Sequence, residues 1–181
     1  MRAEDATAPV VRTTVVAFAD RPLRDEMWTP LFEAVRTSVA EEKIQGLDGA
    51  ADFVRGDKIV PGTLIDKPVV VYLHGDCQLQ PLPKRTAYSV PLGWVRIEQG
   101  QIEPFIHVDC TRIGQVIGVQ AQGLDEDARN RMMARAVSRV IVHEWVHVAR
   151  QSAEHGRNGI TKAHFGVEDL LGEPDMRAGR R

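Results

Sequence analysis

The period of apolar positions changes several times along the chain, and each change marks an element. Val10–Ala17 (VVRTTVVA) is dense in β-branched residues and reads as a strand that Pro22 brings to an end. From Trp28 to Glu42 the apolar residues Leu31, Val35 and Val39 recur at every fourth place. With Pro30 in the first turn and Gly46 beyond the end, this predicts an amphipathic helix. Residues 46–67 scatter Gly46, Gly49, Gly56, Pro61 and Gly62 among short apolar pieces, so loops with one short strand are expected there. Pro68 then introduces Val69–Leu73, too short for a helix and β-branched, hence a strand. His74–Pro91, which holds Pro81, Pro83 and Pro91, is a long surface loop. Leu92–Ile97 and Ile102–Val108 flank Glu98-Gln99-Gly100-Gln101 and form a hairpin, completing a sheet of four or five strands.

The strongest helical signal opens at Asp125, a residue that caps free backbone N–H groups. Ala128, Met132, Ala136 and Val140 then form an apolar line, with Met133, Val137 and Ile141 beside it. Arg131, Arg135 and Arg139 fall on the other side as a solvated face, and Trp145 belongs to the core. The helix runs to about Gln151, with Gly156 beyond it, and a short helix follows near Val167–Leu171.

Chemistry enters on this helix, as His143-Glu144-Trp145-Val146-His147. Residues four apart are separated by about 400° around a helix, so the two imidazoles stand one turn apart on one face and can reach one metal ion. Glu144 is rotated by about 100° from His143, off the coordination line but near enough to take a proton from water at the metal. A catalytic zinc takes a third protein ligand and keeps one open position. His155, eight residues after His147 and followed by Gly156, is favoured because the chain must reverse beside the motif there; Glu168 and His164 compete.

At HEWVH and His155 the sequence resembles the zincin metallopeptidases. Within them it is similar to the bacterial proteins whose pattern is H-E-x-x-H, seven residues, then H, followed by G-I-M and a helix. Gly159-Ile160 match, and Thr161 stands where that pattern has methionine. The metzincins carry a glycine where this chain has Arg150, and their third histidine comes two residues earlier than His155. The resemblance, carried by residues 131–171, implies that His143, His147 and His155 hold the metal, that Glu144 is the catalytic base, and that Ile160–Thr161 pass beneath the metal. More loosely, Val69–Leu73 and the hairpin ending at Cys110 look like the sheet that such enzymes set beside the cleft, where an edge strand pairs with extended peptide.

Length and composition narrow what remains. The chain has 181 residues, 43% of them hydrophobic and 27% charged, enough for one globular domain over residues 1–181 with residues 1–9 as a disordered lead. A formal net charge of −2 supplies no basic field for nucleic acid, and no apolar run approaches the roughly 18 residues of a membrane span. The polar start lacks the pattern of a signal peptide. Cys77 and Cys110 each follow a histidine by three places, His74 and His107. A disulfide, free thiols or a second zinc site of two cysteines and two histidines are all open, and a disulfide would imply an oxidising, extracytoplasmic setting.

The expectation is an α+β fold, a small mixed sheet packed on an N-terminal helix and a central zinc-binding helix. Its function would be that of a zinc metallopeptidase with one zinc per chain, acting on peptide or protein substrates. The alternative is a secreted binding module that keeps the zincin fold with little or no peptidase activity.

Overall fold

Five short β-rich runs, the last two joined as a hairpin, assemble into a single sheet, and alternation of apolar residues is plain in its central strand. In β3 (Pro68–His74), Val69, Val71 and Leu73 are buried while Val70, Tyr72 and His74 are not. The computed structural model describes residues 13–42, 51–80, 91–157 and 159–172. The N-terminal lead, the first residues of the strand expected from Val10 and part of the long proline-containing loop lie outside these.

The other strands are β1 (Thr14–Ala19), β2 (Asp52–Arg55), β4 (Gly93–Glu98) and β5 (Gln101–Asp109). Their order is β2-β1-β3-β5-β4. β1 runs parallel to β2 and β3, β3 parallel to β5, and β4 antiparallel to β5, so the mixed sheet of an α+β fold is present. The β4–β5 turn places Gln99 and Gly100 at φ 50° and 79°, the double left-handed geometry of a tight hairpin. A register irregularity between Val95 and Ile97 interrupts β4.

One face of the sheet is covered by two helices, α1 (Asp25–Glu42) and α3 (Glu126–Arg150). Leu31, Val35 and Val39 of α1 and Met133, Val137 and Ile141 of α3 meet the buried strand residues in one continuous core. The Ser38 and Ser138 hydroxyls, 3.2 Å apart and buried, pair between the two helices. α1 starts one turn earlier than its apolar spacing predicts. Asp25 and Glu26 supply the acidic first turn favoured at a helix N-terminus, and Met27 extends the buried stripe.

A helix that the hydrophobic pattern did not single out follows β5: α2 (Cys110–Ile117), capped by the Asp109 carboxylate on the Arg112 N–H at 2.9 Å. It buries Cys110, Ile113 and Ile117. A disulfide joins Cys110 to Cys77, and the strap that follows Cys77 lies on Gly114 of α2 and on Gly118 just past its end. A Cβ at Gly114 or Gly118 would fall 2.1 Å from the carbonyl oxygen of Gln78 or Gln80. α3 begins as its sequence predicts, with Asp125 accepting from Ala128 N–H at 2.7 Å. It ends on Gln151 in the left-handed region at φ 49°, without the aid of a glycine. The arginine row divides: Arg131 is exposed, whereas Arg139 donates to the Asp169 carbonyl and ties down α4 (Val167–Leu171). No helix among the described residues is long and apolar enough to cross a membrane.

Candidate metal centre

The last turns of α3 carry His143, Glu144 and His147, all buried although polar. Burying such groups side by side is costly unless partners offset it, and the two histidines have specific ones. His143 Nδ1 lies 2.5 Å from the carbonyl oxygen of Ile160, and His147 Nδ1 lies 2.7 Å from that of Ser152. A carbonyl only accepts, so both Nδ1 atoms carry the proton and donate it, which leaves each Nε2 with a bare lone pair. Those two Nε2 atoms face each other at 3.1 Å. With both rings neutral, two acceptors so close are stabilised by a cation between them.

His155 completes the group from the loop after α3. Its ring centroid lies 5.3 Å from that of His143 and 4.8 Å from that of His147. One ligand atom from each of the three histidines falls within 4.8 Å of the others, an arrangement that can hold a metal ion. Burial, with the neighbouring histidines His147 and His155 acting in the same direction, pushes His143 down to about 4. His155 is also lowered, first by desolvation and then by His147 and His164. These two rings are therefore unprotonated near neutral pH, as metal ligands must be. Locked tautomers, convergent lone pairs and neutral rings fit a divalent ion of the borderline class that imidazole prefers.

Glu144 sits beside the cluster, its Oε1 3.9 Å from His143 Nε2. Desolvation pushes its carboxyl up to about 7. All four side chains line a cavity of about 320 Å³ whose apolar wall includes Val95, Val116, Val140 and Phe165. The roof is β4, where Gly93 presses on α3 so closely that a Cβ would lie 2.5 Å from Val140 Cγ1 and 3.1 Å from Glu144 Oε1.

Of the competing third ligands, His164 lines the cavity outside the cluster, and Glu168 is exposed on α4. The disulfide takes both cysteines, which removes the site of two cysteines and two histidines. His74 and His107 do approach, with Nε2 and Nδ1 2.9 Å apart, but differently from the α3 pair. Their planes are 12° apart and their centroids 5.2 Å apart, the separation of two rings meeting nitrogen to nitrogen in one plane. That is an N–H···N hydrogen bond; the α3 rings, at 83° and 4.7 Å, aim at a common point instead.

Sequence reasoning missed the carbonyls of Ile160 and Ser152, for which no side-chain signal exists, and Gly93, for which an isolated glycine in a strand run was the available sign. Fold and site together define an α+β protein with a three-histidine cluster able to hold a metal ion. Comparison with protein-family models, with curated proteins and with solved structures gives no match.

Proposed function

We propose that this chain is a zinc-dependent metallopeptidase of the zincin type, with one zinc held by His143, His147 and His155 and Glu144 as general base. The observation that carries the reading is the pair of Nε2 lone pairs facing each other at 3.1 Å with the Glu144 carboxylate beside them. Zinc at such a site supplies Lewis acidity, making water a better nucleophile and polarising a carbonyl.

The chain's own residues do the rest. Glu144 accepts a proton from a water in the cavity as the water oxygen attacks the peptide carbon, then delivers it to the departing amine. A carboxyl whose affinity for protons is raised towards neutrality by burial suits both halves of that transfer. The Ile160 and Ser152 carbonyls hold the histidine rings in orientation. Among the described residues β4 pairs only with β5, so its outer edge presents backbone N–H and C=O groups to an extended peptide beside Gly93 and Val95, both of which line the cavity. The disulfide supports an extracytoplasmic setting.

The test combines metal content with hydrolysis of a broad peptide library by wild type and Glu144→Gln. About one zinc per chain in both, with hydrolysis at least about a hundredfold slower in the variant, is the expected result. Equal rates would remove the mechanism. Zinc retained by a wild type that cleaves no peptide would leave the binding module instead.

A further inference from the structure

The residue that ends the metal helix is of the wrong type for its backbone. Gln151 occupies the left-handed region at φ 49°, where a residue with a Cβ is strained by about 1–2 kcal/mol and glycine is not. Its side chain is equally unusual. The carboxamide oxygen accepts from Ile102 N–H at 3.0 Å, and its NH2 donates to the Ile102 carbonyl at 2.9 Å and to the Val148 carbonyl at 2.8 Å. One amide thus takes both backbone groups of one β5 residue, as a neighbouring strand would. Ile102 lies below the stretch where β3 pairs with β5, which spans Phe105–Asp109.

What this clamp adjoins gives it meaning. The next residue, Ser152, supplies the carbonyl that accepts from His147 Nδ1, and its N–H returns to the His147 carbonyl at 3.3 Å. His155 follows three residues later. Beyond it the chain is tied again where Gly156 N–H donates to the Thr161 carbonyl at 2.8 Å, next to Ile160, whose own carbonyl holds His143. The loop carrying the exposed third histidine is therefore anchored at two ends, and Gln151 is the anchor on the sheet side. Ile102 also pairs with Ile97 of β4, beside the register irregularity, so the same amide joins the metal helix to the hairpin whose other strand roofs the cavity.

We infer that Gln151 is a positioning residue of the metal centre: its amide, by clamping the end of α3 to β5, sets where the Ser152 carbonyl and His155 stand and so sets metal affinity. The inference rests on the metal-site reading above. It also accounts for why a glutamine stands where the backbone alone favours glycine.

Gln151→Gly separates the two roles, since it relieves the backbone and deletes only the clamp. Zinc affinity would be measured by competition with a chelator, together with thermal unfolding of the metal-free proteins and the absorption spectrum of the Co(II)-loaded forms. The expected outcome is zinc binding weakened by about 10–100-fold, the range for loss of a partner that orients a ligand, with an altered Co(II) spectrum and little change in metal-free melting. Gln151→Glu keeps the length but sets a carboxylate oxygen against the Ile102 and Val148 carbonyls, and should weaken zinc binding at least as much as glycine does. That loss is a second test should the glycine variant fold poorly. Equal zinc affinity in wild type and Gln151→Gly overturns the positioning role while leaving the metal centre intact. A wild type that takes up neither zinc nor Co(II) overturns both.

Discussion

At the scale of single residues the site shows a conflict between stability and chemistry, and Glu144 is where it can be measured. Burial raises its carboxyl from 4.5 to about 7, so the folded state holds that proton more tightly than the unfolded state does. The contribution of Glu144 to the stability of the metal-free fold is then greatest below the ordinary carboxyl range and is lost as pH rises through about 7, by an amount on the order of 1–3 kcal/mol. Glu144→Gln removes the titration but keeps the shape. In the presence of a chelator it should melt several degrees above wild type at pH 8 and close to it at pH 4. Identical melting at pH 8 would show that the buried carboxylate costs nothing. His143 and His147 are legible from sequence because helical spacing alone brings two imidazoles together, and His155 follows from the need for a third ligand near a reversal. The carbonyls that fix the tautomers are not legible, because every residue has one and only the folded path of 152–160 decides which are aimed at a ring.

At the scale of elements, α4 and the loop before it behave as one fastening. Asp169 accepts from the Gly166 N–H at 2.9 Å and from Lys162 Nζ through both carboxylate oxygens at 2.8 and 2.9 Å, while its carbonyl takes the Arg139 guanidinium. Although partial burial opposes ionisation, Lys162 and the Gly166 N–H hold its carboxyl below the usual range. The stabilisation is therefore present above the unfolded carboxyl value and is lost as pH falls through the lowered one. Asp169→Ala should cost about 1 kcal/mol at neutral pH, a figure kept low because the pair is partly solvated. Hydrogen exchange should speed up across 159–171, and the difference from wild type should vanish in strong acid. Unchanged exchange in that segment would mean that Ile160 and Leu170 hold the loop without the ion pair. The long helix and the hairpin were readable because their patterns are long and punctuated. α2 was not: it has two turns, carries Gly114 with Gly118 just past its end, and owes its place to a strap and a disulfide partner that lie elsewhere in sequence.

At the scale of the whole molecule, strand alternation says which side of each strand is buried but not which strand lies beside which. The order β2-β1-β3-β5-β4 was therefore hidden, although the number of strands and the mixed character were not. The disulfide bears on that order directly. Cys77 follows β3 and Cys110 opens α2 directly after β5, so the bond ties together the carboxyl ends of two parallel neighbours and the helix that walls the cavity. Closing a segment of sequence separation 33 removes freedom from the unfolded chain worth roughly 3–4 kcal/mol. In a protein of this size that corresponds to a fall of roughly ten degrees in Tm on reduction or in the double variant Cys77→Ser, Cys110→Ser. The three histidines proposed to hold zinc stand on α3 and its following loop, anchored independently through Gln151 and Ile160, so on that reading the double variant should still bind zinc at 25 °C with nearly wild-type affinity. A large loss of affinity with little loss of stability would reverse that division, making the disulfide a part of the metal site and the strap over α2 its regulator.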